Sequence, residues 1–218
     1  MRLYHFTTAE FGLRAIRDRR LKIAELGQLN DPFEFLGIAL SGPHERKIMR
    51  QWKASIAEDL GLLCMSGSWQ HPLLWGHYGD RHRGLCLGFD APEDSFTKVT
   101  YVPERPSLTT FGHRHITELG DAAFRHMLFS KFEAWAYEDE YRSVCELGGR
   151  DEGNGLCFVP FSDELVLREV IVGAHCAVTR AQLADALRGY DGKIKRFKAR
   201  VGFMKFEVVE QKEQGTWI

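Results

Sequence analysis

The 218-residue chain carries 29 basic and 30 acidic side chains, a formal charge of -1, so no global field draws it to nucleic acid or anionic lipid. With 44% hydrophobic and 27% charged residues, the composition is ordinary for a globular protein and excludes disordered or fibrous architectures. Five cysteines, Cys64, Cys86, Cys145, Cys157 and Cys176, are odd in number, widely spaced and without a CxxC pair, which argues against a disulfide framework or a structural zinc site.

The length suits one domain over residues 1–218 with a core of its own. The start, Met1-Arg2-Leu3-Tyr4-His5-Phe6, has no apolar signal region, and no later stretch approaches the roughly 18 apolar residues of a membrane span. A cytoplasmic location is expected.

Leu3 to Phe6 reads as a short strand, and Thr7 with Glu10 forms a capping box for a helix over about 8–19 whose apolar face holds Phe11, Ala15 and Ile16. His5 then sits where a strand meets a helix N-terminus, a place suited to anions. Leu21 to Leu26 is a second strand candidate. Gln28-Leu29-Asn30-Asp31-Pro32-Phe33-Glu34 has turn chemistry.

A helix is predicted over 44–59, with Ile48, Trp52 and Ile56 on one stripe, and a short buried strand over 62–65. One or two helical turns cover 73–78, strands cover 84–89 and 97–102, and a helix covers about 121–134. Strands follow near 140–145, 156–161 and 168–172, then a capped helix from Thr179 to about Arg188 and two strands near 194–201 and 203–209. The Gly148 to Gly155 stretch, with four glycines among charged residues, reads as a mobile loop. Helices and strands do not alternate strictly, so α+β is preferred to a doubly wound sheet.

If 137–142 is a strand, Glu138, Glu140 and Arg142 project from one face and Tyr137, Asp139 and Tyr141 from the other. Such a face is either a solvated ion-pair surface or, given Trp135, Tyr137 and Tyr141 around it, a cleft wall in which one carboxylate's pKa is raised. His71, His77, His82, His113, His115 and His126 lack an HExxH pattern or companion carboxylates, so no metal is expected. Lys193, Lys195, Arg196, Lys198, Arg200 and Lys205, with Phe197 and Phe203 between them, make either a phosphate-binding strip for nucleic acid or a lysine-protected edge strand.

Taken together, Leu3-Tyr4-His5-Phe6-Thr7, Asn30-Asp31-Pro32-Phe33-Glu34, Leu74-Trp75-Gly76-His77-Tyr78, Gly84-Leu85-Cys86-Leu87-Gly88-Phe89-Asp90, Trp135-Ala136-Tyr137-Glu138-Asp139-Glu140-Tyr141-Arg142 and Glu169-Val170-Ile171-Val172-Gly173 resemble a widespread bacterial family of domains of unknown function. That family is in turn similar to ADP-ribosyltransferases, especially toxins that modify DNA bases, which begin with a His-x-Thr strand before a helix. The resemblance implies split β-sheets with NAD, as substrate, in the cleft between them. His5 and Thr7 would bond a ribose, Trp75 or Tyr78 would stack on nicotinamide, and Asn30 joins them as a cofactor contact. Glu140 would be the catalytic carboxylate, and Glu138 would orient or deprotonate the acceptor.

The implied activity is NAD-dependent ADP-ribosyl transfer to a nucleic acid or protein acceptor, as a toxin or phage-defence effector. The rivals are an NAD glycohydrolase on the same scaffold and a non-catalytic module binding nucleotide or nucleic acid through Lys193, Lys195, Arg196, Lys198 and Arg200.

Overall fold

The apolar run from Leu85 to Phe89 demands cover on both sides, and in the computed structural model of the chain it forms a strand deep within the central sheet, buried at every position. Residues 1–190, 192–213, 215 and 217 are described. From the N-terminus, β1 (Arg2–Thr7) leads into α1 (Ala9–Asp18) and the short strands β2 (Arg20–Lys22) and β3 (Ala24–Glu25). Next come α2 (Pro43–Asp59), β4 (Leu60–Ser66), α3 (Pro72–His77), β5 (Leu85–Asp90), β6 (Thr97–Lys98) and β7 (Thr100–Val102). The second half comprises α4 (Asp121–Phe129), β8 (Ser130–Phe132), β9 (Glu140–Glu146), β10 (Phe158–Pro160), β11 (Val166–Val172), α5 (Arg180–Ala186), β12 (Lys195–Val201) and β13 (Val208–Glu210).

The fold is α+β, built on a mostly antiparallel sheet in the order β13-β12-β11-β5-β1-β4-β9-β6, with β3 added beside β4. Among the described residues, only β11 and β12 within it run parallel. Two-stranded pairs β2–β10 and β7–β8 lie outside it. Pairing across the sheet is uneven. All six residues of β1 pair with β5, and all seven of β4 pair with β9, yet β1 and β4 share the single registered pair Tyr4–Ser66. The sheet is therefore two well-paired halves joined at a narrow seam.

The strand period sorts side chains to two faces. Leu3, Leu63, Met65, Leu85, Leu87 and Phe89 face α1 and α5, packing on Ile16, Leu183 and Ala186. On the opposite face, Phe6, Cys86, Ile171 and Phe197 surround Trp75 of α3, while Leu62 and Cys64 join Phe35, Trp52 and Leu128 beneath α2 and α4. The seam lies between these two clusters. No helix among the described residues is long and apolar enough to cross a membrane.

Several boundaries differ from the sequence reading for local reasons. The cap of α1 is Thr8, whose hydroxyl accepts from Phe11 N at 3.3 Å, because Thr7 is still committed to the ladder opposite Leu85. Helix α4 stops at Phe129, not Ala134, and the chain passes at once into extended β8. The expected last strand pairs only over Val208–Glu210. Gly202 N donates to Glu207 O at 2.8 Å, which closes a tip that leaves Phe203, Met204 and Phe206 exposed. The glycine-rich stretch at 148–155 is tied back by Arg20–Asp151 and Arg150–Glu25 ion pairs, each 2.7 Å.

Gly84 marks a close approach that leaves no room for a side chain. A Cβ there would lie 2.0 Å from Thr7 O and 2.9 Å from Gly79 O, both backbone atoms. Gly84→Ala should therefore destabilise the protein by about 3 kcal/mol or more, read as a lowered urea midpoint.

Candidate active site

Directly after β8 the chain winds through a six-residue 3-10 turn, Glu133–Glu138, and Asp139 then takes a left-handed conformation, φ 43°. Aspartate tolerates that region better than most residues. Two bonds hold the bend: Gly67 N donates to Asp139 O at 2.9 Å, and Ser66 Oγ donates to Glu138 O at 2.6 Å. Glu138 thus belongs to a helical turn and does not share a strand with Glu140 and Arg142, which alternate on β9 near the expected 140–145. Their shared face is buried, not solvated: Glu138, Glu140 and Arg142 are 3%, 6% and 1% exposed.

Burial is sustained by a five-residue charge cluster. Arg142 Nη2 lies 2.8 and 2.9 Å from the two carboxylate oxygens of Glu34, its Nε 2.9 Å from Glu140 Oε1, and its Nη2 2.9 Å from Glu140 Oε2. Its remaining Nη1 donates to Leu128 O at 2.8 Å, which satisfies a carbonyl at the end of α4. Lys131 Nζ sits between three carboxylates, 2.6 Å from Glu138, 3.1 Å from Glu34 and 3.2 Å from Glu140. Lys53 donates to Glu34 O at 2.6 Å and so fixes the 31–34 turn.

The two glutamates are driven apart in proton affinity. Burial opposes ionisation of Glu140, but Arg142's charge and hydrogen bonds, with Lys131 behind them, outweigh it and hold the carboxyl at about 2. For Glu138 burial wins over Lys131 and Tyr78, and its pKa is raised. Three carboxylates face two cations in the cluster, so one negative charge is unbalanced, and a proton is more readily accepted at Glu138 than at Glu140. Tyr78 donates to Glu138 Oε1 at 2.5 Å and accepts from Asn30 Nδ2 at 2.9 Å. Burial, then the neighbouring Glu138 charge, pushes the Tyr78 hydroxyl upward and keeps it a donor.

These groups line a cavity of about 270 Å³ at the β1–β4 seam, bounded by Tyr4, His5 and Phe6 on one side and Cys64, Met65 and Ser66 on the other. His5 Nδ1 lies 3.4 Å from Cys64 O. Burial lowers its pKa despite that carbonyl, so the imidazole is neutral near pH 7. Burial also raises the Cys64 thiol well above its usual range, reinforced by Glu140, so it is not a thiolate nucleophile.

His5, Asn30, Tyr78 and the Glu138–Glu140 segment, far apart in sequence, therefore meet in one cavity. Thr7 and Trp75 are not among its lining residues. Trp75 is fully buried, edge-on to Phe6 at 5.2 Å, with Nε1 donating to Trp69 O at 2.7 Å, so its ring is scaffold under α3. Glu34, Lys131 and Ser66 were missed by sequence reasoning. Glu34 was visible only as a turn residue, and Lys131 fell inside an over-extended helix.

The basic residues near the C-terminus do not form one strip. Arg196, Lys198 and Arg200 share a face of β12, while Lys195 is on the other, paired with Glu210 at 2.9 Å. Lys198 Nζ donates to Cys176 O at 2.8 Å. Among the described residues, no group of three or more His, Cys, Asp or Glu is placed to hold a metal ion.

Comparison with protein-family models, with curated proteins and with solved structures returns no match.

Replacing Arg142 by Met should cost about 3–5 kcal/mol in unfolding free energy, because Glu34 and Glu140 would keep their burial and lose their main partner. The pH dependence follows from the signs. A depressed folded-state pKa means the Glu140 contribution is present above its ordinary value of 4.5 and is lost as pH falls toward 2. Glu140→Gln should flatten the denaturation-derived stability curve across that interval. Glu138, shifted upward, contributes with the opposite sign: it favours the folded state at low pH, and that contribution is lost as pH rises through its folded value.

Proposed function

We propose that the seam cavity cleaves the nicotinamide–ribose bond of NAD and transfers the ADP-ribosyl group to an acceptor, on an ADP-ribosyltransferase-like scaffold. The observation that carries this reading is a single cavity with one carboxylate held ionised, Glu140, beside another that readily takes a proton, Glu138. Paired carboxylates of opposite character are what glycosidic chemistry uses.

As the C–N bond breaks, its electron pair leaves with nicotinamide and positive charge grows on the ribose carbon. Glu140, anionic above pH of about 2, supplies a fixed negative charge that needs no reorganisation during the step. An acceptor hydroxyl or amine then adds to that carbon, and its proton passes to Glu138. Tyr78 and Asn30 hold the Glu138 carboxylate in place through two linked hydrogen bonds. Neutral His5 offers a hydrogen bond to a sugar hydroxyl without adding a positive charge that would oppose the one developing.

The cavity volume, about 270 Å³, lies just below the ~300–1,000 Å³ typical of sites that enclose a whole small ligand. It suits the nicotinamide–ribose end of NAD, with the adenosine end extending outside.

Incubation with NAD should release nicotinamide. Glu140→Gln should slow release by about 100-fold or more, the usual scale for losing a positioned electrostatic group. Glu138→Gln should abolish the acid limb of the transfer rate while leaving nicotinamide release to water measurable. Absence of nicotinamide release by folded wild-type protein would overturn the reading, and release without any labelled macromolecule would assign water as the acceptor.

A further inference from the structure

A second cavity lies beside the first. About 770 Å³ in volume, it is lined by Asp31, Pro32 and Phe33 of the 31–34 turn, and the two cavities share Lys131. Four aromatic residues, Phe33, Phe132, Trp135 and Tyr137, are among those that line it. Phe33 and Phe132 are 64% and 52% exposed, although each has an apolar ring that water does not favour. Clustered exposed rings around one concavity mark a binding surface more often than a bare one.

Cations edge the same space. Arg105 lies over the Phe33 ring, 5.2 Å from its centroid, and Lys131 lies over Trp135 at 5.0 Å. The acids at the cavity do not cancel this arrangement in the same way: Asp31 is buried and accepts from Phe33 N at 2.9 Å, and Glu104 is exposed beside Arg105. Lys131 is already committed to three carboxylates, which leaves Arg105 as the cation able to meet an anion. Flat rings with an arginine at the rim match a planar heteroaromatic ring that carries a phosphate. A purely apolar ligand would use the rings and gain nothing from the guanidinium.

We propose that this cavity binds a nucleotide unit, its base stacked among Phe33, Trp135 and Tyr137 and its phosphate held by Arg105. Its assignment as the acceptor side of the transfer reaction rests on the function proposed above, whereas nucleotide binding itself does not. The position fits an acceptor, since β8 and the Glu133–Glu138 turn supply walls to this cavity and also carry Lys131 and Glu138. The nucleotide could come free or as part of a single strand, and both present the same chemistry.

Isothermal titration of the intact protein with cytidine 5'-monophosphate, cytidine, inorganic phosphate and a short single-stranded oligonucleotide tests the proposal. A pyrimidine nucleotide is used because its base is neither the adenine nor the nicotinamide of NAD. The monophosphate or the oligonucleotide should bind, and Phe33→Ser should weaken that binding by about tenfold or more. Arg105→Gln should weaken the monophosphate but not cytidine. Tighter binding of the oligonucleotide than of the monophosphate assigns a strand; equal binding per site assigns the free nucleotide. No binding of either by folded wild-type protein, or binding indifferent to both substitutions, overturns the proposal. Glu140→Gln separates the two readings: it should lose nicotinamide release and keep nucleotide binding, so nucleotide binding without nicotinamide release by wild-type protein would sink the transferase reading alone.

Discussion

Arg142 is the point on which the rest of the site depends. A guanidinium 1% exposed is stable in a protein interior only when its charge and its donors are met, and here they are met by segments remote from one another. Glu34 comes from a turn more than a hundred residues earlier, Glu140 from the same strand, and Leu128 O from the end of a helix. One side chain therefore fixes the 31–34 turn, β9 and the end of α4 relative to one another. The same contacts give Glu140 its low proton affinity. Stability and site electrostatics share a cause, and neither can be altered at Arg142 without the other.

The cavity follows from how the sheet is paired. A strand pair in full register leaves no room between its members, whereas β1 and β4, among the described residues, are in ladder register only at Tyr4–Ser66. Apolar clusters fill the space on either side of that seam, around Trp75 in one half and around Phe35 and Leu128 in the other. Polar groups occupy the gap between them, where the sheet itself supplies no ladder partners. Trp75 contributes by seating α3 against Phe6, and α3 delivers Tyr78 to Glu138. The tryptophan is thus scaffold, and the tyrosine one turn later is the group that faces the cavity.

Lys131 couples this cavity to the larger aromatic one. Its ammonium is held by Glu34, Glu138 and Glu140 while it also lies over Trp135, so occupancy of either cavity bears on the same charge. Because Glu138 is the cluster's unbalanced carboxylate, a ligand that shifts Lys131 would change the proton affinity of Glu138 more than that of Glu140, which Arg142 holds independently.

Much of the fold was legible from local pattern. The stripe of Ile48, Trp52 and Ile56 marked α2, the apolar run at 62–65 marked a buried strand, and Thr179 with Gln182 marked the start of α5. These features depend on neighbours in sequence, so periodicity and capping determine them. The grouping of His5, Asn30, Tyr78, Glu138 and Glu140 was reached through the motifs they sit in, but their burial was not, because two glutamates and an arginine in a short span read equally well as a wet strand face. Tertiary structure decided that question through Glu34 and Lys131. The first looked like part of a turn and the second like helix surface, and neither carries a local signal of the charges it meets. The sequence by itself determined which residues could form helices, strands and charged faces. Which charges would be paired away from water, and hence which carboxylate stays ionised, was decided only when distant segments met across the β1–β4 seam, since electrostatic energy in a buried cluster depends on separation in space and not along the chain.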